Sequence, residues 1–217
     1  MFDKEKVKII GFDLDQTLYP KSPVIDEEIQ RYVHYKISEF RKCSIEEAKT
    51  LFYSYYPGIS GRKTLIKLGF PEEIAGNVVQ EALEKADIAK FLIPNPQVLK
   101  LLQDLKLKYQ KIALITGSEI NIVRKKLESL KLPLDLFYLV ITGEISKSDG
   151  TAYKQWLDKH TELKNYNFLY IGDRRTIDAD VPLSLGIQSI LVNVKEEEND
   201  LDIPQLKNLF ELRQLLL

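Results

Sequence analysis

The chain has 217 residues, of which 44% are hydrophobic and 29% charged, as is typical of a globular protein and not of a disordered one. Its 31 basic and 32 acidic residues leave a net charge of −1, so charge gives no reason to expect a nucleic-acid polymer or an anionic membrane as a partner. The single cysteine, Cys43, excludes an intrachain disulfide framework and a zinc site built from cysteines. No apolar run approaches the roughly 18 residues of a membrane span, and the charged N-terminal segment is unlike a signal peptide, so we expect a soluble, cytoplasmic protein.

Five short apolar segments are predicted to be buried strands. They lack polar alternation and are too short for helices, which is typical of strands that are covered on both faces. The segments are 7–12, 112–115, 138–141, 168–171 and 189–194. Helical patterns lie between the later ones, as at Ile120, Val123 and Leu127. This alternation predicts an α/β fold, with a Rossmann-like parallel sheet and helices on both of its faces.

Residues 21–93 interrupt this pattern, because they contain no convincing strand. An apolar stripe runs from position 29 to position 40, and Ser44 with Glu47 forms a capping box at the start of a second helix. Pro71 is predicted to lie in the first turn of a further helix, where proline is favoured. The segment is therefore predicted to be an inserted helical domain.

These patterns divide the chain into two predicted domains. The α/β core takes residues 1–20 and 94–217, and the inserted helical domain takes residues 21–93. The acidic stretch 195–200 is predicted to be a solvated loop.

Two aspartates follow the first predicted strand directly. Asp13 and Asp15 are at i and i+2, and they lie where open α/β sheets place their ligands. Two close carboxylates repel each other unless a cation lies between them or one is protonated. They are therefore candidates for ligand, nucleophile, or acid and base. Capping of the following turn explains such a pair equally well.

Two further candidates follow the second and third strands. Thr116, beside Gly117, places a hydroxyl where it would donate to an anion, although helix capping is the commoner explanation of such a residue. Lys147 would supply a fixed positive charge to a phosphoryl group, whereas an isolated lysine is usually exposed to solvent.

A second pair of acids follows the fourth strand. Asp173 and Asp178 add two carboxylates to the same edge of the sheet, and carboxylate oxygens are preferred ligands of Mg²⁺. Gly172 is predicted to allow a tight backbone turn before them.

In this order, the residues resemble the four motifs of the haloacid dehalogenase superfamily of phosphohydrolases. The segment 12–18, FDLDQTL, is similar to motif one, Thr116 to motif two and Lys147 to motif three. Asp173 and Asp178 are similar to the acidic pair of motif four. The inserted helical domain resembles the helical cap of this family.

The resemblance implies a role for each residue of the first three motifs. Asp13 would be the nucleophile that forms an aspartyl-phosphate, and Asp15 would protonate the leaving oxygen and then activate water. Thr116, Gly117 and Lys147 would bind the phosphoryl oxygens. Asp15 also favours phosphate chemistry over carbon–halogen cleavage, because the dehalogenase branch lacks this second aspartate.

The resemblance also implies Mg²⁺ as cofactor. Its ligands would be Asp13, the backbone carbonyl of Asp15, and Asp173, with Asp178 in or near the ligand set. This account requires the carboxylates of Asp13 and Asp173 to lie within about 10 Å of each other, since Mg²⁺ binds oxygen at about 2.1 Å. Arg174 and Arg175 follow Asp173 and are expected to point outward, or else to reach the site.

The expected function is that of a Mg²⁺-dependent phosphatase acting on a small phosphorylated metabolite, a nucleoside monophosphate or a phosphoglycolate-like compound. The tyrosines of the segment 53–56 loosely resemble the pyrimidine 5′-nucleotidase branch, in which aromatic rings would stack on a base. The competing interpretation places Phe52 and Tyr55 in the core of a helix. A sugar-phosphate mutase or other phosphotransferase, and a catalytically silent binding protein, are the alternative functions.

Overall fold

The computed structural model describes residues 2–56, 58–194 and 203–217. The acidic stretch predicted to be a loop at 195–200 therefore lies outside the described residues. The chain divides into two compact units. The α/β unit comprises residues 1–20 and 92–217, and the helical unit comprises residues 21–91. Within the described part of the chain, no helix combines the length and the apolar character needed to cross a membrane.

Four helices make up most of the helical unit. They are α1 (Pro23–Arg41), α2 (Ile45–Tyr53), α3 (Gly61–Lys67) and α4 (Glu72–Lys85), followed by a 3₁₀ turn (Ile88–Phe91). The predicted capping box of Ser44 and Glu47 is confirmed at the start of α2. Pro71, predicted in the first turn of α4, is the N-cap residue instead. It begins that helix without a side-chain hydrogen bond.

Apolar side chains from all four helices form the core of the helical unit, including Ile37, Phe52, Leu65 and Ala75. The helix-core interpretation of the aromatic segment is right for Phe52, which is buried, and wrong for Tyr55. Tyr55 lies beyond the end of α2 and is exposed.

Five parallel strands form the sheet of the α/β unit, in the order β3-β2-β1-β4-β5. They are β1 (Ile9–Phe12), β2 (Ile112–Ile115), β3 (Leu139–Ile141), β4 (Phe168–Gly172) and β5 (Gln188–Leu191). The predicted α/β fold class is confirmed. Phe12 is paired with Leu114 on one side and with Ile171 on the other, so the carboxyl ends of three strands meet at one edge.

Helices and turns lie between the strands of the sheet, and one helix follows the last strand. The helices between strands are α5 (Pro96–Tyr109), α6 (Ile120–Leu130), α7 (Thr151–Asp158) and α8 (Val181–Ser184), which a π-helical turn (Arg175–Asp180) precedes. The helix after β5 is α9 (Leu212–Leu216). Trp156 of α7 is fully buried against the sheet. A Cβ atom at Gly11 would lie 2.8 Å from the Trp156 ring, so this close approach requires glycine in β1.

Three strands are shorter than predicted, and one of them, β3, begins at Leu139 and not at position 138. The first was expected to begin at Val7 but begins at Ile9, because a 3₁₀ turn (Lys4–Lys6) precedes it. The last was expected to reach Val194 but ends at Leu191. Beyond it, Asn193 has a left-handed backbone with φ of 58°, and the amide of Val194 donates to the carbonyl of Leu206 outside the sheet.

Candidate active site

Three of the predicted acids meet at the carboxyl edge of the sheet. Asp13 follows β1, Asp173 follows β4, and Asp178 lies in the π-helical turn. One carboxylate oxygen from each lies within 4.8 Å of the others. Asp13 and Asp178 are buried, and Asp173 is partly exposed. The requirement that Asp13 and Asp173 lie within about 10 Å of each other is met.

Lys147 is buried between two of these carboxylates. Its Nζ donates a hydrogen bond of 2.6 Å to Asp13 Oδ1 and lies 2.7 Å from Asp178 Oδ1, a contact that is close in distance but lacks hydrogen-bond geometry. It also lies 5.1 Å from the centre of the Tyr170 ring. The side chain is 3% exposed, so the interpretation of Lys147 as a solvated lysine is wrong. Its positive charge offsets part of the repulsion within the cluster.

Gly172 provides room for Asp178 to fold back against the end of β4. A Cβ atom at this position would overlap the side chain of Asp178. The φ angle of Gly172 is not left-handed, so the close approach of Asp178, and not a left-handed backbone, is what requires glycine at this position. The amide of Arg174 then donates to Asp178 Oδ2 at 3.0 Å. Asp178 is thereby fixed from two sides.

Asp13 and Asp173 hold their protons more strongly than ordinary carboxylates do. Desolvation raises the pKa of Asp13 to about 6, although Lys147 opposes the shift and Asp178 adds to it. Desolvation, reinforced by the charges of Asp13 and Asp178, raises the pKa of Asp173 to about 7. Close carboxylates with raised pKa values are the environment that a divalent cation relieves, and their hard oxygens suit Mg²⁺. The donor set therefore fits the expected metal.

Thr116 and Gly117 lie in the loop that follows β2. Thr116 is fully buried, and its Oγ1 accepts a hydrogen bond of 3.2 Å from the amide of Ser118. The N-cap residue of α6 is Glu119, so the helix-capping explanation of Thr116 is wrong. Gly117 is exposed, and a Cβ atom there would meet no atom within 4 Å. The loop therefore leaves open space beside Gly117.

The carboxylate of Asp15 is not part of the group of three acids. It is partly exposed and is bound by three side chains outside that group. Tyr19 Oη donates to Oδ1 at 2.5 Å, Lys126 Nζ donates to Oδ1 at 2.6 Å, and Ser118 Oγ donates to Oδ2 at 2.8 Å. Burial alone would raise the pKa of Asp15, but Lys126, Tyr19 and Ser118 lower it overall. The carboxylate form, which accepts a proton, is therefore favoured.

Sequence reasoning missed these three partners of Asp15. A signal for Lys126 was nevertheless present, because it lies on the buried face of α6 among the apolar residues Val123, Leu127 and Leu130. A lysine on such a stripe is unusual, since a buried ammonium is costly without a partner. No comparable signal marked Ser118 or Tyr19.

The two arginines after Asp173 differ in their surroundings. Arg174 is about half exposed, and its Nε lies 3.9 Å from Asp178 Oδ2. Arg175 Nε lies 2.9 Å from Asp180 Oδ1. Arg174 therefore reaches the edge of the acidic cluster, whereas Asp180 is paired with Arg175 and lies outside it.

Comparison with known proteins agrees with this geometry. The model of the haloacid dehalogenase-like hydrolases matches residues 9–192. The chain belongs to this family. The residues that resemble the four motifs of these haloacid dehalogenase-like hydrolases follow strands of the sheet at its carboxyl edge. No curated protein matches the chain.

Solved structures of other haloacid dehalogenase-like proteins share the fold at low sequence identity. A phosphatase of this type from Thermococcus onnurineus is 21% identical with a TM-score of 0.65, over 97% of this chain and 98% of that one. A hydrolase from Streptococcus pneumoniae is 19% identical with a TM-score of 0.67, over 98% and 100% of the two chains. A magnesium-bound protein from Bacillus subtilis, assigned as a hydrolase of the family, is 14% identical with a TM-score of 0.56, over 97% and 98%. At these identities, the likeness establishes the fold.

Proposed function

We propose that this hydrolase is a Mg²⁺-dependent phosphatase that cleaves a small phosphomonoester through an aspartyl-phosphate intermediate. The observation that carries the proposal is the meeting of Asp13, Asp173 and Asp178 within 4.8 Å, with Lys147 buried between two of them. Phosphoryl transfer requires mainly positioning and neutralisation of charge on the phosphoryl oxygens. The cluster supplies a nucleophile, a fixed cation and oxygen ligands for a metal in one place.

The chemistry proceeds in two steps. In the first, a carboxylate oxygen of Asp13 attacks phosphorus and the bond from phosphorus to the ester oxygen breaks. The carboxylate of Asp15 takes a proton from the phosphomonoester monoanion and gives that proton to the departing alcohol. In the second, Asp15 accepts a proton from a water molecule that attacks phosphorus. The acyl-phosphate bond then breaks, which releases inorganic phosphate and restores the carboxylate of Asp13. Thr116, Gly117 and Lys147 bind the phosphoryl oxygens throughout.

Asp13, Asp173 and the backbone carbonyl of Asp15 are the proposed ligands of Mg²⁺. Asp178 is the supporting acid, because its oxygens are already engaged by Lys147 and by the amide of Arg174. When bound, Mg²⁺ supplies charge neutralisation for the phosphoryl oxygens. Lys147 supplies the second positive charge and holds Asp13 in place.

Asp15 supports hydrolysis of phosphate esters over carbon–halogen cleavage. The family resemblance places an acid at this position in the phosphatases and not in the dehalogenases. Its carboxylate is partly exposed, so an incoming substrate is able to reach it. Proton transfer to a leaving alcohol needs such a group, whereas displacement of a halide does not.

The helical unit is the proposed cap of the family and the proposed source of substrate selectivity. It contains an aromatic cluster in which the rings of Phe52 and Tyr56 stack at 4.8 Å and Tyr53 packs edge-on against Phe52. Tyr53 and Tyr56 provide aromatic faces on which a nucleobase would stack, as in the pyrimidine 5′-nucleotidase branch. A nucleoside monophosphate is therefore the first substrate class to test. A phosphoglycolate-like compound is the second, because one fold neighbour, from Haemophilus somnus, is described as a phosphoglycolate phosphatase.

Phosphate release from a panel of phosphorylated metabolites tests the proposal. The panel is measured with Mg²⁺ and with a chelator, and p-nitrophenyl phosphate serves as the general substrate. Wild-type protein is expected to release phosphate only with the metal, and Asp13→Asn is expected to be inactive while remaining folded. Hydrolysis by Asp13→Asn at the wild-type rate would show that the nucleophile is assigned wrongly.

The same panel separates the alternative functions. A fold neighbour from Thermotoga maritima, 20% identical with a TM-score of 0.64, is assigned as a β-phosphoglucomutase. A mutase would convert a sugar phosphate into its isomer with little release of inorganic phosphate. A silent binding protein would release no phosphate and would show no stabilisation by Mg²⁺.

A further inference from the structure

A second buried lysine, Lys126, binds the carboxylate of Asp15 and contacts none of the three acids of the cluster. The side chain of Lys126, in α6, is 3% exposed, and its Nζ lies 2.6 Å from Asp15 Oδ1. The same Nζ donates to Ser118 Oγ at 2.8 Å, and that hydroxyl donates to Asp15 Oδ2 at 2.8 Å. Tyr19 Oη adds a hydrogen bond of 2.5 Å to Asp15 Oδ1. Both oxygens of Asp15 are therefore held by directed donors.

Packing of α6 does not explain Lys126. The residues that share its buried face are apolar, and an apolar residue of similar length would bury the same surface without the cost of desolvating a charge. Within the described residues, Asp15 is the acid that pairs with Lys126. The positive charge of Lys126 is therefore placed to pair with the carboxylate of Asp15.

The two lysines that are buried in the described part of the α/β unit contact different acids. Lys147 contacts Asp13 and Asp178, whereas Lys126 contacts Asp15 and Ser118. This separation indicates separate roles, one at the phosphoryl group and the metal ligands and the other at the group that transfers protons.

We infer that Lys126 is a positioning residue for Asp15, an inference that rests on the proposed phosphatase function. Lys126, together with Ser118 and Tyr19, holds the carboxylate of Asp15 in one orientation toward the reacting oxygens. Lys126 acts through Asp15 and does not touch the substrate. A displacement of about 1 Å in a reacting group costs about 100-fold in rate, which sets the expected size of the effect.

The test compares Lys126→Met, which keeps the length of the side chain without its charge, with Lys126→Ala, which leaves space for an added amine. Lys125→Ala on the exposed face of α6 is the matched control. Each variant is assayed for kcat and KM with p-nitrophenyl phosphate and for the thermal shift caused by Mg²⁺. Lys126→Ala is also assayed with methylammonium and with tetramethylammonium, which has no N–H donor.

The inference predicts that Lys126→Met loses about 100-fold in kcat, since Asp15 is displaced. Its KM and Mg²⁺ shift are expected to stay close to those of the wild type, because Lys126 contacts the side chain of Asp15 and not the backbone carbonyl proposed as a metal ligand. It also makes no contact with the carboxylates of Asp13 and Asp173 or with the phosphoryl-binding residues. Methylammonium is expected to raise the kcat of Lys126→Ala at least tenfold. Tetramethylammonium is expected to have no such effect, because recovery needs a donated hydrogen bond. Lys125→Ala is expected to match the wild type.

Two results would overturn the inference. One is a wild-type kcat for Lys126→Met. The other is a lowered kcat of Lys126→Ala that recovers equally with methylammonium and tetramethylammonium, or that recovers with neither. Such a result would mean that the lowered kcat reflects lost packing and not a lost hydrogen-bond donor. If Lys126→Met does not fold, the amine series with Lys126→Ala decides the question alone. Absence of phosphate release by the wild type would instead contradict the proposed phosphatase function. Failure of that function is therefore distinguished from failure of the inference about Lys126.

Discussion

Asp13 and Asp173 link the chemistry of the site to the pH dependence of stability. Their pKa values of about 6 and about 7 lie above the ordinary value of 3.8. The metal-free native state therefore holds more protons than the unfolded chain between about pH 4 and pH 7. This contribution to stability is present at low pH and is lost as pH rises through the folded pKa values.

We predict that Mg²⁺ raises the melting temperature more at about pH 8 than at about pH 5.5, because metal binding competes with the protons on these carboxylates. In the metal-free protein, the melting temperature is expected to fall over the same interval. Asp173→Asn, which cannot ionise, should show a smaller fall. Scanning calorimetry of the wild type and the variant, with and without Mg²⁺, measures both effects. A Mg²⁺ shift that is larger at the acidic pH would contradict this interpretation.

Gln16 has a backbone conformation that is unusual for its residue type. It follows Asp15 and has a left-handed φ of 60°, and its carbonyl accepts a hydrogen bond of 2.6 Å from Asn193. Left-handed backbone costs an L-residue roughly 1–2 kcal/mol, and most for β-branched side chains. The loop that carries Asp13 and Asp15 therefore stores strain at Gln16.

We predict that Gln16→Gly is more stable than Gln16→Val by about 1–2 kcal/mol, because glycine adopts this conformation without steric cost. The free energy of unfolding of the two variants in urea is the measurement. Equal stability would mean that the strain at this position is relaxed by the surrounding loop.

Much of the candidate site could be predicted at the scale of single residues. Asp13, Thr116 and Asp173 were predicted as candidates because polar residues that follow neighbouring parallel strands meet at one edge of the sheet, and the structure brings Asp13 and Asp173 together there. Lys126 was not, because its role depends on which face of α6 packs against the loop after β1. Order along the chain does not encode that contact.

At the scale of elements, the close packing of β1 against α7 limits what the strand tolerates. A Cβ atom at Gly11 would lie 2.8 Å from one atom of the Trp156 ring and 3.1 Å from another. The indole has little freedom to move, since its Nε1 donates to the hydroxyl of Tyr138 at 2.8 Å. Overpacking of this kind typically costs about 1–3 kcal/mol.

We therefore predict that Gly11→Ala lowers the free energy of unfolding by about 1–3 kcal/mol. Gly117→Ala is the matched control for stability, because nothing lies within 4 Å of a Cβ atom at that position. Chemical denaturation of both variants measures the difference. A loss as large in Gly117→Ala would show that a general effect of alanine, and not the clash with Trp156, is responsible.

The strands were predicted in number and near position because each is apolar throughout, as expected of a sheet covered on both faces. Their ends were predicted less well. β5 ends at Leu191, and beyond it the amide of Val194 donates its hydrogen bond to the carbonyl of Leu206 and not to a neighbouring strand. Such partners lie far away in sequence, so an apolar run such as 189–194 overstates the length of the strand.

At the scale of the whole molecule, the change of periodicity between positions 20 and 94 predicts a helical domain inserted into an α/β core. A strand pattern is absent from this stretch, and the described helices of the helical unit have their own apolar core. The natural substrate was not predictable in the same way. Under the proposed function, the substrate depends on a few side chains of the proposed cap, whereas the fold depends on the whole apolar pattern.

In the proposed mechanism, Asp13 carries the phosphoryl group during turnover. The most direct test is peptide mass spectrometry of Asp15→Asn after acid quench from a reaction with p-nitrophenyl phosphate and Mg²⁺, because loss of Asp15 slows hydrolysis of the intermediate. The account predicts one phosphoryl group, located on Asp13 and absent from Asp13→Asn treated in the same way. Phosphorylation of a different residue, or turnover by the wild type with no phosphorylated enzyme in any variant, would contradict it.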